Sequence, residues 1–83
     1  MKLVYFAWVR EKVGLSREEV SPPSDVATVA ALIDWLHARG NGYEAAFADT
    51  TMVRVAVNQE YAKLEAAVGA DDEVAFFPPV TGG

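Results

Sequence analysis

The stretch "TVAALIDWLHARG", Thr28–Gly40, decides the fold. Val29, Leu32, Ile33 and Leu36 fall at i, i+3, i+4 and i+7, the spacing of an amphipathic helix. Thr28 stands where a hydroxyl can accept from an unpaired amide of the first turn, and Arg39 followed by Gly40 supplies a stop signal. His37 falls off the apolar stripe and reads as a solvated side chain.

On both sides of this helix the period changes from helical to alternating. Upstream, "KLVYFAWV", Lys2 to Val9, is rich in β-branched and aromatic residues and reads as a strand. Leu3, Tyr5 and Ala7 then share one face, and Lys2, Val4, Phe6 and Trp8 the other. Arg10 to Gly14 reads as a turn or short helical piece. Arg17 to Ser21 forms a second, weaker strand that Pro22 and Pro23 close, since neither ring can donate to a ladder. Downstream, Tyr43, Ala46 and Phe47 fit one helical turn. "MVRVAVN" alternates with Val53, Val55 and Val57 inward and Met52, Arg54 and Ala56 outward. Asn58 to Glu60 marks a turn, Tyr61 to Leu64 fits a short strand, and Glu73 to Phe77 is the final strand.

The element order is therefore β-β-α-β-(β)-β. A helix that joins the first hairpin to the later strands must cross one sheet face and cover it, which predicts an α+β roll with one main helix on one face. The opposite face is left bare. Phe6 and Phe77 point there by parity and Tyr61 joins them, and a contiguous aromatic patch of this kind marks a binding surface.

Composition excludes several functions. The chain has 83 residues, the size of one domain, and its 52% hydrophobic content can build a compact core. It has no cysteine, hence no disulfide, thiolate metal site or thiol nucleophile. With His37 as its single histidine and Ser16, Ser21 and Ser24 as its serines, it offers little for metal binding or hydrolysis. A net charge of −5 argues against nucleic acid and favours partners with basic clefts. "LVYFAWV" is too short to cross a membrane and runs into charged residues, so the chain reads as soluble and intracellular.

The end of the chain, "FFPPVTGG", is the other informative stretch. Pro78 and Pro79 hold the backbone extended as it leaves the last strand. From Phe77 to Gly83 a fully extended chain reaches about 20 Å, enough to enter another protein's cleft. Gly82 and Gly83 remove every side chain near the terminal carboxylate, so a narrow channel can close around the backbone. Residues 1–79 are read as the folded domain and 80–83 as its extended tail, ordered only when bound. A carboxylate is a poor electrophile, but joined to AMP it gains a good leaving group. A sulfur donor would convert that adenylate into a thiocarboxylate, a strong nucleophile, whereas a lysine amine would turn the chain into a covalent tag.

With "YFAWVRE" at Tyr5 to Glu11, "AVNQ" at Ala56 to Gln59 and above all "DEVAFFPPVTGG" at Asp72 to Gly83, the sequence resembles the small sulfur-carrying subunits of molybdopterin synthase, ubiquitin-like β-grasp proteins, over essentially its whole length. The resemblance implies that an E1-like enzyme uses ATP to adenylate Gly83, and that a sulfur-donating enzyme converts it to a thiocarboxylate. Two such chains would flank a dimer of the large synthase subunit, where cyclic pyranopterin monophosphate receives the sulfurs. Val80, Thr81 and Gly82 would line the inserted tail, and Phe6, Tyr61, Phe77, Pro78 and Pro79 the partner interface. It implies a cytoplasmic protein with no permanently bound cofactor, no metal, no catalytic side chain of its own, and no nucleic-acid or membrane partner. Asp71 stands where the family commonly has glycine, a position that would be strained if it required positive φ. The same tail chemistry also fits a carrier for another thio-product such as thiamine thiazole, or a ubiquitin-like modifier. An interaction module with an inert terminus is the remaining reading.

Overall fold

The computed structural model describes residues 1–79; Val80, Thr81, Gly82 and Gly83, and with them the expectations placed on the tail, lie outside the described residues. Five strands, β1 (Lys2–Tyr5), β2 (Arg17–Glu19), β3 (Arg54–Val57), β4 (Glu60–Ala62) and β5 (Glu73–Phe77), form one mixed sheet in the order β2-β1-β5-β3-β4. The first and last strands lie side by side and parallel, and every other pairing is antiparallel. Three α-helices, α1 (Ala7–Val13), α2 (Val29–His37) and α3 (Asn41–Ala46), and a 3-10 turn at Thr50–Met52 complete the fold of the described residues. The expected β-grasp architecture is thus present.

The core lies on one side of the sheet. Leu3, Tyr5, Val55, Val74 and Phe76 face it from the strands, and Val29, Leu32, Ile33 and Leu36 meet them from α2. The periodicity of α2 matches its buried residues one for one, and Thr28 Oγ1 accepts from the Ala31 amide at 3.1 Å. The Val29 and Ala30 amides donate instead to the Ala66 and Leu64 carbonyls, so the segment after β4 completes the cap.

One expectation is corrected. The first strand stops at Tyr5, not Val9, because Ala7 adopts φ 51° and the chain turns into α1. A left-handed alanine costs about 1–2 kcal/mol. The turn buries Val9 completely and half-buries Trp8 against the core, whereas a continued strand would have sent Trp8 to the open face. Val9 and Val13 at i, i+4, followed by Gly14 at φ 91°, carried the helical signal, but the local aromatic and β-branched composition masked it. Arg10 and Lys12 sit in the last turn, where cations complement the helix dipole. α3 packs on α1 so closely that a Cβ on Gly42 would collide with the Lys12 carbonyl.

A polar lock ties the elements on the helix side. The Glu18 carboxylate accepts from Tyr5 Oη at 2.8 Å, from Tyr43 Oη at 2.6 Å and from the Arg39 guanidinium at 3.3 Å. Arg39 also lies over the rings of Trp35 and Tyr43, 4.9 and 4.8 Å from their centroids. Burial alone would push the Glu18 carboxyl up, yet hydrogen bonds from Tyr43, Tyr5 and Arg39 outweigh it and hold the group below its ordinary value. Burial and the same carboxylate push the Tyr5 phenol well up.

The β3–β4 hairpin closes through Asn58 and Gln59, at φ 51° and 71°, a two-residue connection matching the twist of its strands. Asn58 then reaches across to β5. Its amide donates to the Glu73 carbonyl at 2.8 Å, its Oδ1 accepts from the Glu73 amide at 3.0 Å, and its Nδ2 donates to Asp72 at 2.9 Å. Asp72 Oδ2 accepts from the Gly69 amide at 2.7 Å. Among the described residues the positive-φ ones are Ala7, Gly14, Gly40, Asn41, Asn58 and Gln59, so Asp71 stands where glycine is common without needing glycine's conformation.

Candidate functional site: the open face of the sheet

Strand alternation places Lys2, Val4, Arg17, Glu19, Arg54, Ala56, Tyr61, Glu73, Ala75 and Phe77 on the face that no helix covers. The registers arrange them in rows. Arg17, Val4, Ala75, Ala56 and Tyr61 lie across the sheet in one row, and Phe77 and Arg54 are paired in the next. Ala56 and Ala75 are small, so the floor is shallow and the larger rings stand above it. Tyr61 is 81% exposed, with its ring centroid 5.8 Å from that of Phe77.

Phe6 joins this face even though its strand ends early. Its backbone is still extended, at φ −121° and ψ 154°, so alternation from buried Tyr5 carries the ring outward, where it is 49% exposed. Its amide donates to the Phe76 carbonyl at 3.0 Å, which fixes it beside the end of β5. Because β1 and β5 run parallel and β3 antiparallel to them, Phe6, Phe77 and Arg54 gather at one end of the sheet. Pro78 and Pro79, both half-buried, continue the chain from that same end. The structure therefore brings the five predicted interface residues together around the point where the tail leaves a central strand.

Electrostatically this face differs from the rest of the molecule. It carries Lys2, Arg17 and Arg54 against Glu19 and Glu73, whereas the other ten of the twelve acidic residues lie on the helix side, the edges or the loops. The overall acidity thus does not describe this face.

The shifted titratable groups are engaged elsewhere. Tyr5, Tyr43 and Glu18 form the lock on the helix side. Asp49, lowered by hydrogen bonds from Thr51, caps a short turn, and Asp72, lowered by those from Asn58 and Gly69, sits at the end of the sheet opposite the tail. Among the described residues no cluster of three or more potential metal-ligating His, Cys, Asp or Glu side chains occurs, and no helix is long and apolar enough to cross a membrane. The open face, with its cluster of exposed aromatic rings, is suited to binding. The sequence places Arg54 outward without assigning it a role and carries no signal for the Asn58–Asp72 clamp, whose partners are distant in the chain.

The ThiS family model matches residues 3–83. The chain is 41% identical over 83 residues to the molybdopterin synthase sulfur carrier subunit of Escherichia coli strain K12, covering 100% of this chain and 99% of that protein. It is 37% identical, with the same coverage, to the protein of that name from Haemophilus influenzae. Among solved structures, SAMP1 from Haloferax volcanii superposes with a TM-score of 0.74 at 33% identity, covering 100% of this chain and 98% of that one. With the fold, the diglycine end and full-length similarity in agreement, the chain belongs to the ThiS family of ubiquitin-like β-grasp proteins.

Proposed function

We propose that this chain is the sulfur carrier of molybdenum cofactor biosynthesis, the small subunit of a molybdopterin synthase. The observation that carries the reading is "FFPPVTGG" leaving a central strand amid an exposed aromatic platform, in a chain similar over its full length to two proteins named for that role.

In this reading an E1-like enzyme joins the Gly83 carboxylate to the AMP moiety of ATP and releases pyrophosphate. Sulfide-level sulfur from a donor enzyme attacks the acyl carbon, AMP leaves, and a terminal thiocarboxylate remains. The platform of Phe6, Tyr61 and Phe77 docks on the large subunit while Val80, Thr81 and Gly82 occupy its channel. The sulfur then passes to cyclic pyranopterin monophosphate. A dithiolene needs two sulfurs, which fits two carriers on a dimer of large subunits. The carrier supplies a reacting group and the partner supplies acid–base and phosphate-binding residues, so the chain is not an enzyme on its own. It works in the cytoplasm and holds no resident cofactor, ATP being consumed by the activating enzyme.

The test is intact mass after incubation with activating enzyme, ATP and sulfur donor, followed by the synthase assay. The full chain should gain the mass of sulfur in place of oxygen and support product formation. A chain lacking Gly83 that still supported the assay would refute the reading. The similarity to SAMP1, a small archaeal modifier protein, favours a second one in which Gly83 forms isopeptide bonds with lysines. Lysine conjugates recovered from native cells would support it.

A further inference from the structure

The geometry points to Arg54 as the charge that orients docking, by pairing with a carboxylate on the rim of the partner's tail channel. This rests on the proposed carrier function and adds the chemistry of the surface the carrier recognises.

Arg54 is exposed and paired in register with Phe77, the last residue of β5 before the prolines. Its side chain is therefore next to the exit of the tail. Its guanidinium makes one hydrogen bond, to the Thr51 carbonyl at 3.3 Å, which leaves most of its five N–H donors available. Among the described residues the one ion pair is Glu18–Arg39, so Arg54 pairs with no carboxylate there. An unneutralised arginine beside a Tyr–Phe pair is the composition of an interface centre, where aromatic residues and arginine are enriched.

Arg17 occupies the far end of the neighbouring row, three strand spacings across the sheet and two residues along it from Arg54, or about 16 Å between backbones. It borders a hollow of about 310 Å³ that Lys2, Val4, Glu19 and Glu73 also line. Lys2 lies in register between Glu19 and Glu73, so its charge is locally balanced, whereas Arg17 and Arg54 bracket the apolar floor. The matching partner surface has an apolar socket for Tyr61 and Phe77, one carboxylate near the channel mouth and a second about 16 Å away. Two separated charges would fix the angle at which the tail enters as well as the affinity. A basic partner face would instead be repelled here, although the chain as a whole is acidic.

The experiment is association kinetics of the full chain with the purified large synthase subunit at low and moderate salt. Arg54→Glu should slow association about tenfold at low salt, and Arg54→Met should have a smaller effect. Both should flatten the salt dependence while melting like the parent chain. A charge reversal at one acidic rim residue of the partner should restore the rate for Arg54→Glu but not for the parent. Unchanged rates and salt dependence for both Arg54 variants, with the parent binding normally, would overturn the role of Arg54 alone. Failure of the parent to bind the large subunit would remove the functional reading with it, and thiocarboxylate formation at Gly83 checks that reading independently of Arg54.

Discussion

Phe76 and Phe77 are neighbours in sequence and opposites in role. Phe76 is fully buried, stacked on Tyr5 at 5.8 Å and edge-on to Phe47 at 5.0 Å, while Phe77 lies on the open face against Tyr61. One face of the sheet uses its aromatic surface for folding, and the other leaves it uncovered, where the proposed function assigns it to a partner. The same residue type thus reports on stability or on recognition according to strand parity alone.

The sharpest way to break that division is to truncate the two rings separately. Phe76→Ala should cost about 3–5 kcal/mol, since it removes a buried ring packed against those of Tyr5 and Phe47. For a domain of this size that loss is most of the stability, and thermal melts should show a largely unfolded chain. A melt within a few degrees of the parent would mean that the helix-side core does not depend on β5.

Gly42→Ala tests the same face from the helix layer. The new methyl group meets backbone, the Lys12 carbonyl and the Val13 Cα, and backbone cannot rotate away as a side chain can. A loss of about 3 kcal/mol by denaturant titration is expected, at the high end for overpacking. Unaltered stability would show that α3 can slide on α1.

The open face should respond in the opposite sense. Phe77→Ala should weaken binding to the large subunit by about 2 kcal/mol, roughly thirtyfold, while changing stability by about 1 kcal/mol or less. Calorimetric titration beside a melt separates the two effects. If Phe77→Ala destabilised as much as Phe76→Ala, the open face would be part of the core.

Legibility followed the same division. α2, β3 and β5 could be read because each has a clean period that tertiary packing reinforces, and the bare face followed from their order. α1 could not, since "FAWV" carries strand propensity while its helix is imposed by the burial of Val9. The site was legible as a list of aromatics, but its geometry depends on β1 and β5 being parallel neighbours, a long-range fact. The polar lock was invisible for the same reason: Glu18 meets Tyr5, Arg39 and Tyr43 from four separate segments.

That lock gives the smallest effect and the clearest pH signature. Because Glu18 has a folded-state pKa below its ordinary 4.5, the stability it contributes is present above that value and is lost as pH falls through the lower one. Tyr5 acts with the opposite sign. Its pKa is raised, so its contribution is complete below 10.0 and is lost as pH climbs through the folded-state value. Between these limits the lock should contribute a flat plateau. Glu18→Gln keeps an acceptor for the two phenols but loses the charge, and should cost about 1 kcal/mol at neutral pH. Melts from pH 6 down to pH 3 should then show a shallower acid decline than the parent. Binding to the large subunit at neutral pH should be unchanged, because Glu18 and Tyr43 lie behind the sheet. If Glu18→Gln altered binding at constant stability, the two faces would be coupled and the division drawn from Phe76 and Phe77 would fail.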